Sequence, residues 1–464
     1  MKNFKTREKG LFPRKTKKLN PKKVVTPPDL SMIDSDVAGI DVGSESHYVA
    51  VPADRAEMPV RQFRSFTQNL YEMADWLAEC KIKKVYMEST GVYWIALYDI
   101  LEIRGFEVFL VNARHVKNVT GRKSDVMDCQ WLQQLGSFGL LRGAFRPPRE
   151  ICALRSVVRT RENLVRDQGH QIQLVQKSYT QMNMQIHNVL SDMAGVSGMA
   201  ITRAIVAGER DLPTLAGLCN RRVKATTSEV RAALEGDWLP EHLLGLECAV
   251  TMYDAYDRQI ALCDKKIETM LADLARHEVP EEKKTPRVRH SRNTPDFDLQ
   301  TVLRKMAGVD LTTIDGIGLN TALVILSEVG PDLSKFPSEK HFSAWAGVAP
   351  GTRITGGKII SGKVLPSHNR VGQALRLAAV SLGRSGSALG AYYRRMCARL
   401  GKKSAIVATA HKLARIVYAL LTKGEEYVDA GQKAYEEIQK NRSIRSLERR
   451  ARDLGFELTP VPAV

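Results

Sequence analysis

Four acidic residues, Asp41, Glu88, Asp125 and Asp128, are the side chains whose type and placement could do chemistry. Asp41 stands near the end of a short apolar run, Asp36-Val37-Ala38-Gly39-Ile40-Asp41-Val42-Gly43, that ends in a turn. Glu88 closes another, Lys84-Val85-Tyr86-Met87-Glu88, and Asp125 and Asp128 open an expected helix. Residues at i and i+3 share a helix face, so the last two can both point at whatever lies over the strand ends. Gathered carboxylates repel one another unless a cation neutralises them, and hard oxygen donors favour Mg2+ or Mn2+ over zinc. Two such ions, about 4 Å apart, would activate the attacking oxygen and stabilise the leaving oxygen of a phosphodiester. Each acid alone also has an ordinary reading: turn chemistry for Asp-x-Gly, a helix-start signal for Glu88-Ser89-Thr90-Gly91, dipole complementation for Asp125 and Asp128.

A second group lies in the C-terminal third. Gly351-Thr352-Arg353-Ile354-Thr355-Gly356-Gly357-Lys358 runs on through Ser361-Gly362-Lys363 to His368-Asn369-Arg370, alternating hydroxyls, glycines and cations. A hydroxyl among Arg353, Lys358 and Lys363 is suited to attack a phosphodiester, because the cations would stabilise transition-state charge. On spacing alone the same loop, with Arg370 behind it, reads more readily as a basic surface that grips phosphates. Upstream, Asp315-Gly316-Ile317-Gly318-Leu319 reads as a hairpin between two helices. Gly316 and Gly318 would let backbone approach a phosphate at a helix N-terminus, as in a helix-hairpin-helix element, or would simply make a tight turn.

The elements that must position these groups follow from periodicity. Three short strands (around 36–43, 48–51 and 60–63), then a helix, a strand, a helix and the strand 108–111, predict a mixed α/β sheet. From about 150 to 280 the pattern is helical. Leu246, Tyr253, Ile260, Ile267 and Leu274 recur by sevens, with Val250 and Leu271 at the alternate seam positions. Asp257 and Asp264 also fall on that seam, which implies an antiparallel or bundled coiled-coil arm, formed either as an intramolecular hairpin or between subunits. The expected organisation is a disordered basic arm (1–33), an α/β domain (34–148), a helical arm (149–280), a linker (281–298), a mainly helical C-terminal domain (299–425) and a charged tail (426–464).

Bulk properties narrow the partners. The net charge of +18 over 464 residues suits a phosphate-rich ligand, since neutralising phosphates releases condensed counterions. No apolar run is read as a bilayer span and no lipidation or secretory signal is read, so a membrane is not expected and the cytoplasm, beside the nucleoid, is. The seven scattered cysteines form neither a CxxC zinc pattern nor a disulfide framework.

Taken in order, Gly39-Ile40-Asp41-Val42-Gly43, Met87-Glu88-Ser89-Thr90-Gly91-Val92-Tyr93, Val111-Asn112-Ala113 and Arg122-Lys123-Ser124-Asp125-Val126-Met127-Asp128 closely resemble the DEDD transposases. These form the insertion-sequence family numbered one-ten, and the likeness is to its eleven-eleven branch. The resemblance implies a RuvC-like, RNase H-type first domain in which the acids matching Asp41, Glu88, Asp125 and Asp128 bind the catalytic metal. It implies that the lead-in Ala346-Gly347-Val348-Ala349-Pro350 precedes a nucleophile that joins covalently to DNA. The family's serine is replaced here by Thr355, whose methyl group stiffens χ1, and Ser361 is the reserve candidate. A structured guide RNA is implied as a partner beside DNA, and because strand exchange needs several sites acting together, a homo-oligomer, dimer or tetramer, is expected. A Holliday-junction-resolvase-like nuclease and an inactive nucleic-acid-binding relative are the competing functional classes.

Overall fold

A computed structural model describes residues 32–88, 91–111, 125–278, 291–364, 366–424 and 431–459. The expected basic arm, except Met32 and Ile33, and the first ten residues of the expected linker lie outside the described residues. Contacts divide the chain into two compact units, Met1–Phe145 and Arg146–Val464.

The first unit is built on a five-stranded sheet with order β3-β2-β1-β4-β5. Its strands are β1 (Val37–Val42), β2 (Ser46–Ala50), β3 (Val60–Arg64), β4 (Lys84–Glu88) and β5 (Glu107–Val111). Helices α1 (Thr67–Glu79) and α2 (Trp94–Ile103) make the crossovers, and α3 (Asp125–Ser137) follows β5. The tight connection at Gly43, whose N–H donates to Ser46 C=O at 3.2 Å, folds β2 back antiparallel on β1. The helical crossovers return β4 and β5 parallel to it. Alternation sorts the side chains. Ala38, Ile40, Val42, Val85 and Met87 join Met73 and Leu77 of α1 and Leu97 and Leu101 of α2 in the main core. Val37 and Tyr86 face the other way, onto Leu132 of α3.

The second unit is helical. Its long helices α4 (Arg149–Gln181) and α9 (Pro240–Asp273) pack along their length within one chain, with Arg161 on Asp264 and Gln168 on Asp257. Partner numbers fall on α9 as they rise on α4, so the pair is antiparallel. The seam residues Leu246, Val250, Tyr253, Ile260, Ile267 and Leu271 are all buried. The two seam aspartates have specific partners: Asp264 takes the Arg161 guanidinium, and Asp257 accepts from Gln168 Nε2 at 3.1 Å. Between the long helices run α5 (Ile186–Val189), α6 (Val196–Val206), α7 (Leu212–Gly217) and α8 (Thr227–Leu234). They close a separate core around Tyr179, Met182, Ile201, Ile205 and Leu234 at the far end of the pair.

The C-terminal part comprises α10 (Leu299–Ala307), a 3-10 turn (Leu311–Thr313), α11 (Leu319–Val329), α12 (Glu339–Trp345), the hairpin β6 (Arg353–Thr355) and β7 (Lys358–Ser361), then α13 (Arg370–Ser381), α14 (Ala388–Leu400), α15 (Lys402–Lys423) and α16 (Gly431–Asp453). It is tied to α4 by charge. Glu328 on α11, only 5% exposed, receives both arms of Arg159 at 2.7 Å, and its C=O accepts from Arg155 Nη2 at 2.5 Å. The described end of the expected linker is also engaged: Arg161 donates to Asn293 C=O at 2.9 Å and Arg292 to Tyr253 Oη at 2.6 Å. The expectation that no run reaches bilayer length is corrected by α15, which is long and apolar enough to cross a membrane by length and composition. Its Ala405, Thr409, Ala410, Leu413, Ala414, Val417 and Leu420 are buried within this unit, where α15 packs against α12, α13 and α14.

Candidate active site

The geometry of the acids begins with two glycines. A Cβ on Gly39 would fall inside the backbone of Cys129 and Gln133 and 2.9 Å from Leu132 Cβ. One on Gly136 would lie 2.6 Å from Tyr86 Cδ2 and 2.9 Å from Val37 Cγ1. Helix α3 therefore lies against the sheet with almost no side chain between, and it runs opposite to β1: its later turns cover Val37, its middle covers Gly39. Its first turn consequently comes to the carboxyl end of β1, which is where Asp41 stands.

Glu88 is brought to the same edge by strand register. Gly39 pairs with Tyr86 and Ile40 with Met87 in the parallel ladder. One residue further along, Asp41 and Glu88 stand abreast at the strand ends, and alternation turns both toward the α3 face. All three of Asp41, Glu88 and Asp128 are half-buried. Cys129, fully buried, reports the electrostatics. Burial pushes its thiol up to about 12, with Asp41 and Asp128 adding to the rise as nearby negative charges. Asp41 and Asp128 thus share one neighbourhood. The backbone of Asp125 opens α3 one turn before Asp128, and its side chain lies outside the described residues. Among the described residues no three of His, Cys, Asp and Glu are gathered closely enough to hold a metal ion. Oxygen donors at one sheet edge nevertheless have the composition a hard divalent cation takes.

The hydroxyl candidates lie in the second unit. Gly356 (φ +54) and Gly357 (φ +76) make the two-residue turn of the β6-β7 hairpin, both in the left-handed region that such turns require. Thr355 and Lys358 pair directly across it, so hydroxyl and ammonium share a face, both exposed. Ser361 is half-buried at the hairpin base, where its Oγ accepts from Lys363 N–H at 3.3 Å; Lys363 is exposed. The side chain of Arg353 lies outside the described residues. The hairpin's flanks are pinned: Arg376 donates to Gly347 C=O at 2.5 Å, and Asn369 caps α13 while donating to Trp345 C=O at 3.1 Å.

Two expected phosphate contacts are occupied by protein. Arg370 forms an ion pair with Glu162 of α4, whose carboxyl is pushed up by burial and pulled down by that guanidinium. Gly316 (φ +87) is required by packing, since a Cβ would lie 2.8 Å from Ala378 C=O on α13. The helix expected before it is a 3-10 turn of three residues. Gly318 opens α11 with open space where a Cβ would be. Sequence reasoning overlooked Gly39, Gly136 and Cys129, for which the only available signal was glycine inside a strand and inside a helix.

Comparison with known proteins gives matches over both units. Residues 38–184 match the DEDD family of IS110 type, described as "Transposase", and residues 310–394 match the one described as "Transposase IS116/IS110/IS902 family". A protein named "Putative transposase y4pF/y4sB" from Sinorhizobium fredii is 36% identical over 127 residues, covering 26% of this chain and 32% of that protein. "Insertion element IS110 uncharacterized 43.6 kDa protein" from Streptomyces coelicolor is 33% identical over 120 residues, covering 25% of this chain and 29% of its own length. The chain therefore spans about a third of the length of these curated relatives.

Proposed function

Because this chain belongs to the IS110 family of transposases, as its matches at 38–184 and 310–394 establish, we propose that it breaks and rejoins DNA at the ends of an insertion sequence. The observation that carries this reading is the lay of α3, whose first turn brings Asp128 to Asp41 beside the end of β4. The strand order β3-β2-β1-β4-β5, in which β2 alone runs opposite to the other four strands, supports an RNase H-like, RuvC-like domain. Asp41, Glu88 and Asp128, with Asp125, would hold Mg2+ or Mn2+, and such an ion supplies activation of an oxygen nucleophile and stabilisation of the leaving oxygen. Half-burial keeps the acids partly dehydrated, which strengthens their attraction for a cation.

Thr355 is the proposed nucleophile. Its Oγ–P bond forms as the bond from phosphorus to the leaving sugar oxygen breaks; the hydroxyl proton passes to water and the leaving oxygen takes one from water. The bond is exchanged, not hydrolysed, so the covalent protein–DNA intermediate can be attacked by another strand's hydroxyl and rejoined. Lys358, directly across the hairpin, offers its charge to the phosphate oxygens. Our reading places the acids and the hydroxyl together between subunits of a dimer or tetramer, because strand exchange needs several sites acting together, with a structured RNA choosing the DNA on the strength of the family resemblance.

The test is incubation of the purified chain with its element's terminal DNA and Mg2+. A denaturation-resistant protein–DNA adduct that disappears in Thr355→Ala is the expected result. Disappearance only in Ser361→Ala moves the nucleophile to Ser361. Free 5′-phosphate and 3′-hydroxyl ends with no adduct would make the enzyme a hydrolytic nuclease. Asp41→Asn and Asp128→Asn should lose strand breakage and keep salt-sensitive DNA binding; retained breakage would refute the acid site.

A further inference from the structure

Among the described residues, helix α16 is anchored through its first three turns. Arg394 donates to Gln432 at 2.8 Å, Tyr435 meets Tyr392 edge-on with ring centroids 6.4 Å apart, and Arg395 donates to Gln439. None of its residues is buried. Beyond Gln439 the helix continues to Asp453, and Gly455 (φ +80) turns the chain just after it. On this outer part Arg442, Arg445, Arg449 and Arg452 are exposed, and among the described residues none of their side chains has an ion-pair or hydrogen-bond partner, although Glu448 and Asp453 lie on the same helix. Their 3-4-3 spacing puts all four on one face, over about 15 Å of helix.

We propose that this arginine face is a binding site for the phosphate backbone of duplex DNA. The proposal rests on the transposase reading above. Four guanidiniums on one face repel one another unless a polyanion covers them, and their planar forks match phosphate oxygens. A single helix fits along the major groove of B-form DNA, about 12 Å wide, whereas the narrow major groove of A-form RNA does not admit side chains. A second copy docking the same face would set like charges against each other. The opposite face, with exposed Ile444 and Leu447, is the one a protein partner would use instead.

The experiment measures affinity of the full chain for a duplex of about 30 base pairs across roughly 50 to 300 mM NaCl. Losing four phosphate contacts in R442Q/R445Q/R449Q/R452Q should make the slope of log affinity against log salt shallower by about 3 to 4, with about tenfold or greater weakening near 0.1 M salt. The single R449Q should change the slope by about 1. Thermal stability should be unchanged, because these side chains have no partner to lose. R221Q/R222Q/K265Q/K266Q removes the same charge from exposed positions elsewhere; an equal loss in that variant would reduce the effect to net charge and overturn the site. So would an unaltered slope in the arginine variant, with the transposase reading left standing by the wild-type binding. Loss of self-association with DNA binding retained would make α16 a subunit contact and equally overturn it. Absence of salt-dependent DNA binding in the wild type would bring down the transposase reading itself.

Discussion

Gly39 shows how one missing side chain sets the position of the acids. Gly39→Ala should cost about 3 kcal/mol or more, because the new methyl meets helix backbone, which cannot rotate away as a flexible side chain can. A lowered urea midpoint together with lost strand breakage is the expected pair of results; an unchanged midpoint would mean that α3 is not pressed on β1. Asp41→Asn should behave differently, losing at least about a hundredfold in breakage rate with the midpoint nearly unchanged, as removal of one electrostatic partner of the reacting phosphate does. The placement of Asp41 and Glu88 at strand ends and of Asp128 in the first turn of α3 was legible in the sequence, since such carboxylates are visible as types and spacings. The glycines were not, because a strand glycine reads as a bulge until the helix that crosses it is known. Cys129 was invisible for a related reason: its thiol is shaped by burial and by charges from two separate elements.

The α4–α9 pair makes the corresponding point for elements. Its seam could be read from the sevenfold recurrence of apolar residues, and Asp257 and Asp264 could be recognised as exceptions. Their partners could not, because Arg161 and Gln168 stand far earlier in the chain and no local pattern links them. The buried pair predicts asymmetric mutational costs. Asp264→Ala should lose about 3 to 5 kcal/mol by leaving a buried guanidinium uncompensated, whereas Arg161→Met combined with Asp264→Leu should be nearly neutral. Denaturation midpoints of the single and double variants check this, and a double variant as unstable as the single would contradict it. The hairpin holding Thr355 differs in kind. Gly356-Gly357 announced a turn, but the direct pairing of Thr355 with Lys358 needed the register.

Across the whole molecule, stability should fall on mild acidification. Burial lowers His47 and His411 below their usual 6.5, so the folded protein keeps them neutral while the unfolded chain takes protons. Stability from this source is complete above pH 6.5 and is lost as the pH drops below it toward the folded values. His47 Nδ1 is buried without a hydrogen-bond partner among the described residues, which leaves nothing to hold a proton there. A urea midpoint that declines between about pH 7 and 5.5, and declines less in His47→Gln, is expected; an equal decline in both would assign the effect elsewhere. Charge and apolar content indicated a phosphate-rich partner at this scale, yet α15 shows the limit of composition, since an apolar run long enough for a bilayer is spent inside a helical domain. The antiparallel build of the arm makes its reach a matter of phase. Excising seven residues from each long helix should draw the distal lobe inward by about 10 Å with its azimuth nearly kept, while excising three from each would swing it by about 60°.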